Sequence, residues 1–158
     1  MNRVGQGFDV RKFIKSKPLI IGGVKIDFDQ GLEGHSDADV LIHAIIDALL
    51  GAAALGDIGH HFPDSDKNFK DIDSRKLLRN VVEKLKLSNY IIENIDATII
   101  CENPKMQPYI SQMVVNIASD CSSSSNSINI KATTSEGLGF TGRSEGIAVQ
   151  AICLIKTV

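Results

Sequence analysis

The chain has 158 residues, 43% of them apolar and 23% charged, with a formal net charge of −2. That length suits one domain, over residues 1–158, with a packed core, and the composition excludes wholesale disorder. The near-neutral charge, two tyrosines and absence of tryptophan give no basis for gripping a polyanion or stacking single-stranded bases, so no nucleic acid partner is expected.

Residues 3–10 read as a short first strand broken by glycine. Residues 19–28, with Ile20, Ile21, Val24 and Ile26, read as a second. A helix is expected over 38–54, followed by a long glycine- and aspartate-rich loop over 56–73. Asp73 is a plausible N-cap for a second helix over 74–86, whose Leu77, Leu78, Val81, Val82 and Leu85 share one face. A strand over 91–102 precedes a third helix over 108–120, with Pro108 in its first turn. Period-2 alternation then marks strands over 128–133 and 145–157. The order β-β-α-α-β-α-β-β predicts an α/β (α+β sandwich) fold: one mixed β-sheet with helices packed on one face. The longest uncharged apolar stretch, 48–55, is too short to span a bilayer, and no hydrophobic signal region opens the chain. The expectation is a cytoplasmic protein with no membrane partner. Cys101, Cys121 and Cys153 lie far apart with no CxxC, which argues against a disulfide framework or a thiolate metal cluster.

Three regions carry candidate chemistry. The first helix is apolar almost all round, except for Asp39, His43 and Asp47 at i, i+4 and i+8, on one narrow stripe. An imidazole between carboxylates suits a metal ligand with an orienting partner. The same residues also allow a plainer reading, with Asp39 in a capping box that starts at Ser36 and Asp47 bonded to His43. His35 and Ser36, just before that helix, stand where free N–H groups favour a phosphate. The loop 131–143 gathers hydroxyls, three glycines, Glu136, Lys131 and Arg143, the composition of a phosphate cradle with a divalent cation. Its Gly137-Leu138-Gly139-Phe140-Thr141-Gly142 matches GxGxxG, but a strand follows where a dinucleotide fold needs a helix. The loop 57–66 offers Asp57, Asp64 and Asp66 for polyol hydroxyls, with His60 and His61 more plainly exposed loop residues.

Taken together the chain resembles the 2-C-methyl-D-erythritol 2,4-cyclodiphosphate synthase family of the non-mevalonate isoprenoid pathway. The resemblance rests on Gly5-Gln6-Gly7-Phe8-Asp9-Val10, Gly34-His35-Ser36-Asp37, His43, the run 47–59, Phe62-Pro63-Asp64, Pro104-Lys105-Met106, Lys131-Ala132-Thr133-Thr134 and Gly139-Phe140-Thr141-Gly142-Arg143. It covers nearly the whole chain in one order. It implies a bacterial homotrimer with active sites at subunit interfaces. It implies cyclisation of 4-diphosphocytidyl-2-C-methyl-D-erythritol 2-phosphate, a small cytidine diphosphate substrate, with release of CMP. His35 and Thr134 would touch the transition state. Ser36 would hold phosphate. Asp57, Gly59, Phe62, Asp64 and Asp66 would line the methylerythritol side. Cys101, Pro104, Lys105 and Met106 would hold cytidine. Thr133, Thr134 and Glu136 would hold the diphosphate with Mg²⁺ or Mn²⁺. Phe140 and Arg143 would contact substrate, and Arg143 matches a family arginine near the threefold axis that can face an anion. Zn²⁺ would sit on Asp9, residue 11 and His43. Residue 11 is Arg11, however, where the family pattern has histidine, and Arg11 would then contact substrate phosphate. Two other readings compete: a catalytically impaired trimeric ligand-binding module, and a metal-dependent phosphohydrolase.

Overall fold

The computed structural model describes residues Met1–Val158. Strand β1 (Asn2–Ile14) is longer than its glycines suggest. Gly5 and Gly7 do not break it. They thin it, because a Cβ at either would lie 1.9 Å from a backbone carbonyl of the first helix. The strand thus lets helix α1 (Val40–Ala52) lie directly on it.

The expected second strand is a hairpin instead. Strands β2 (Leu19–Ile21) and β3 (Val24–Ile26) pair antiparallel through a turn at Gly22 and Gly23, which both have positive φ. A two-residue strand β4 (Gly31–Leu32) edges the main sheet beside Phe13 and Ile14. Helix α1 starts at Val40 and not at Ala38, whose φ of 58° lies in the left-handed region. The loop 56–73 carries helix α2 (Ile58–His61) and a 3₁₀ turn at Lys67–Phe69. Helix α3 (Ser74–Leu87) is capped by Asp73 as expected. Strand β5 (Tyr90–Ile100) leads through a 3₁₀ turn at Gln107–Tyr109, which holds Pro108, into helix α4 (Ile110–Asp120). Strand β6 (Ile128–Thr133), the one-turn helix α5 (Gly139–Gly142) and strand β7 (Gly146–Thr157) complete the chain.

The main sheet has the order β4-β1-β7-β5-β6. Strands β5 and β6 run parallel through α4, and the other pairs are antiparallel, so the sheet is mixed as expected. Its two faces differ. Ile95, Ala97, Ile99, Ile147, Val149, Ala151, Cys153 and Ile155 point into a core shared with α1, α3 and α4. On the other face Val4, Phe8, Val10 and Ile152 stay exposed. The three cysteines are free and buried. No helix is long and apolar enough to cross a membrane.

Candidate active site

The stripe on α1 resolves into three unrelated jobs. Asp39 is fully buried and caps the helix: it accepts from the N–H of Ile42 at 3.1 Å and from Gly22 and Gly23 at 2.9 and 2.8 Å. The cap is therefore Asp39 itself, and Ser36 turns inward. Asp47 accepts from the N–H of Ile58 at 2.8 Å, which fixes α2 against α1, and does not bond His43. His43 is thus not an imidazole between carboxylates of its own helix.

Its partners come from elsewhere. On one side Arg11 Nη2 donates to His43 Nδ1 at 3.0 Å. A guanidinium only donates, so Nδ1 accepts and the ring proton sits on Nε2. On the other side His43 Nε2 lies 2.8 Å from Ser74 Oγ and 3.2 Å from Ser36 Oγ. The Ser74 hydroxyl passes the chain on to Asp37. Burial first, and then the Arg11 cation, push the His43 imidazole down to about 3. Burial raises the Asp9 carboxyl from its ordinary value, against the pull of Arg11, whose Nε donates to Asp9 Oδ2 at 2.9 Å.

This geometry does not fit the cation implied at Asp9, residue 11 and His43. The two atoms that could ligate, Asp9 Oδ2 and His43 Nδ1, stand 3.9 Å apart, and each already takes an N–H of the Arg11 guanidinium. No three His, Cys, Asp or Glu side chains converge anywhere in the chain.

Arg11 and His43 line a cleft of about 270 Å³ with His35, Ser36, Gly59, Phe62 and Asp64. His35 donates Nε2–H to the carbonyl of Asp66 at 2.9 Å, which leaves Nδ1 free. So Asp66 contributes through its backbone, while its carboxylate caps the turn at Asn68. Asp57 caps α2 through the N–H of His60 and does not line the cleft. His61 bonds the Leu55 carbonyl at 2.7 Å and accepts from Lys84 at 2.9 Å, a structural role.

The second group lies across the sheet. Asp9 pairs with Val149, Val149 with Ile99, and Ile99 with Ala132. Three strand spacings put Asp9 roughly 14 Å from the strand that ends at Thr133. There the N–H of Cys101 bonds the carbonyl of Thr133, joining the ends of β5 and β6. Glu102 Oε1 accepts from the N–H groups of Ser135 and Gly137 at 3.2 and 3.3 Å and so shapes the loop. Thr134 Oγ1 accepts from the N–H of Glu136, whose side chain stays exposed. Cys101 and Met106 are buried, so contacts to a ligand from this stretch go through backbone, with Lys105 exposed beside them. Burial pushes the Cys101 thiol up to about 12, which leaves it inert. Phe140 is exposed on α5, and Arg143 donates to Glu145 at 2.8 Å. Sequence reasoning missed Ser74, Asp37 and Glu102. Ser74 carries no signal beyond its place after a helix cap, and its bond to His43 exists only once α3 packs on α1.

The YgbB family model matches residues 2–156. A curated relative from Methylobacillus flagellatus, 2-C-methyl-D-erythritol 2,4-cyclodiphosphate synthase, is 64% identical over 99% of this chain and 98% of its own length. Among solved structures, the bifunctional IspDF from Campylobacter jejuni superposes on 100% of this chain with a TM-score of 0.96 and 42% identity, and this chain spans 43% of that one. An IspF from Plasmodium falciparum, in a CDP complex, superposes with a TM-score of 0.86 and 32% identity, over 99% of this chain and 96% of that one.

Proposed function

The chain belongs to the YgbB family, and from that premise we infer how its residues work. It is a cyclodiphosphate synthase, converting 4-diphosphocytidyl-2-C-methyl-D-erythritol 2-phosphate into 2-C-methyl-D-erythritol 2,4-cyclodiphosphate and CMP. The observation that carries this reading is the end-to-end agreement with synthases, 64% identical over 99% of the chain in one case. That agreement favours it over both a binding module and a phosphohydrolase.

The chemistry needs no protein nucleophile. An oxygen of the substrate's own 2-phosphate attacks the phosphorus of the diphosphate farther from cytidine. A new P–O bond forms there, and the P–O bond to CMP breaks with its electrons. The protein must fold the substrate for in-line attack and neutralise charge. In the proposed arrangement His35, fixed through Nε2, donates Nδ1–H to the phosphate in its imidazolium form, and Ser36 stands beside it with a hydroxyl to donate. Gly59, Phe62 and Asp64 shape the polyol end, with Asp57 and Asp66 holding the turns that carry them. The backbone of Cys101, Pro104 and Met106 takes the cytidine, Lys105 offsets diphosphate charge, and the Thr133 and Thr134 hydroxyls hold its oxygens. Glu136 is the carboxylate available to Mg²⁺ or Mn²⁺. A lone exposed carboxylate fits that role, because such an ion takes most of its ligands from water and substrate phosphates and serves to spread their charge.

Two observations support a homotrimer. The two groups of residues lie roughly 14 Å apart across one sheet, too far to grip one diphosphate within a chain. The open sheet face exposes Val4, Phe8, Val10 and Ile152, an apolar surface suited to other copies. In that assembly the cleft of one copy meets the Thr133–Glu136 loop of its neighbour, Phe140 faces substrate and Arg143 lies near the axis.

The test is direct. Incubation with the substrate should yield CMP and a cyclic diphosphate, read by ³¹P NMR, and the protein should sediment as a trimer. Absence of cyclic product with intact protein would sink the activity; a stable monomer at micromolar concentration would sink the shared site.

A further inference from the structure

The Asp9–His43 pair raises a question of charge. A divalent ion on one carboxylate and a neutral imidazole leaves the group at +1. Here Arg11 sits between them, and Asp9, Arg11 and neutral His43 sum to zero. The guanidinium is held from three directions. Nε–H goes to Asp9 Oδ2 and one Nη2–H goes to His43 Nδ1. The Nη1 end lies over Gly34, where a Cβ would come within 2.8 Å of it. The same Cβ would come within 2.8 Å of the Ala38 Cβ, so the bare Gly34 leaves room for both this arginine and the turn at Ala38. His43 is fixed in turn by Ser36 and Ser74, so the acceptor that faces Arg11 cannot rotate away cheaply.

Five N–H groups are available on a guanidinium, and two are used. The other three have no acceptor in the protein, and Arg11 lines the same cleft as His35 and Ser36. A planar, permanently charged fork with free N–H groups in a cleft recognises an oxyanion, and phosphate above all.

We propose that Arg11 replaces the divalent cation of this cleft: it locks Asp9 to His43 and turns its free N–H edge to a phosphate oxygen of the substrate, so that a covalently fixed cation does the positioning here. The inference rests on the synthase reading for the identity of the phosphate. The replacement supplies charge and geometry but no Lewis-acid coordination, since arginine has no lone pair to give and no empty site to offer. It also makes phosphate binding in the cleft independent of zinc supply.

The experiment compares the full-length protein with R11H, R11M and G34A, each first checked for a cooperative thermal transition. After equilibrium dialysis against micromolar Zn²⁺, elemental analysis should find well under one Zn²⁺ per chain in the unmodified protein and close to one in R11H. Turnover of the unmodified protein, assayed with excess Mg²⁺, should change less than twofold after treatment with a zinc-selective chelator. R11H should become chelator-sensitive. R11M should lose about 100-fold in kcat/KM with no gain in zinc, and G34A, whose Cβ crowds both the guanidinium and Ala38, should lose about tenfold. Stoichiometric zinc in the unmodified protein, or unchanged kcat/KM in R11M, would overturn the inference. Should no variant form cyclic product while the zinc pattern holds, the synthase reading fails and the cation replacement stands. Turnover together with full zinc occupancy gives the reverse result.

Discussion

At the N-terminal end of α1 the polar side chains are tied into a closed network. Asp39 takes three backbone N–H groups, and His43 is held on both ring nitrogens by Arg11, Ser74 and Ser36. Across the sheet, the loop after β6 is the opposite. Thr133, Glu136, Phe140 and Arg143 are exposed, and its shape comes from backbone N–H groups gathered on Glu102 and from the Ser135–Thr141 hydroxyl pair. The first region is preorganised by burial, so its groups are rigid and their protonation is shifted. The second is preorganised by turns, so its side chains stay exposed and free for a ligand or a neighbouring copy. Substituting buried groups that bond only protein, as Asp39 does, should therefore act on stability, and substitutions in the second region should act on turnover.

The largest expected effect is from Asp39→Ala. It orphans three backbone N–H groups, two of them in the turn that joins β2 to β3, and removes the cap of α1. The expected loss is about 3 kcal/mol of unfolding free energy, measured by urea denaturation. A loss under about 1 kcal/mol would show that the network is looser than its geometry.

Acid should come next. A histidine whose folded value is about 3, against about 6.5 unfolded, binds its proton more readily in the unfolded chain. Its contribution is complete well above pH 6.5 and is lost as pH falls toward 3, on the order of 3 kcal/mol between pH 6.5 and 4. Asp39, which burial raises to about 7, and Asp9, also raised by burial, work the other way over the same range and blunt the slope, so the His43 share is read from the ring itself. By NMR, the His43 ring should show no protonation step above about pH 4; a step near 6.5 would mean that the ring is wet.

Glu136→Ala sharpens the contrast from the other side. Turnover at limiting Mg²⁺ should drop about 30-fold, equivalent to about 2 kcal/mol in barrier. The melting transition should stay within about 1 °C, because the side chain is exposed and bonds nothing. An equal loss of stability would place Glu136 among the structural residues. The smallest effect should be from Glu145→Gln, which breaks the exposed ion pair to Arg143 and should change stability by less than about 0.5 kcal/mol.

Much of this was legible in the residues. The alternation in residues 145–157 gave the central strand β7, and the one-faced apolar spacing after Asp73 gave α3 to within a residue. Composition alone marks the Thr133–Arg143 loop as a phosphate cradle, whereas Pro104–Met106 reads as a solvated turn and is singled out only by the family resemblance. Residues 19–28 read as one strand where the structure has a hairpin, because β-propensity marks Leu19–Ile21 and Val24–Ile26 alike and says little about a turn at Gly22-Gly23. The helix at 58–61 was hidden in a loop reading, since four residues hold no periodicity.

The stripe Asp39, His43 and Asp47 shows where sequence stops. Helical spacing by itself determined that the three project along one side of α1, and the family pattern made Arg11 conspicuous. Which of the three would cap, which would bind Arg11 and which would hold α2 was decided only by the tertiary structure. Each partner, Gly22 and Gly23, Arg11, or Ile58, comes from a different element of the fold. A hydrogen bond is a relation between two positions about 3 Å apart, and local sequence fixes only one of them.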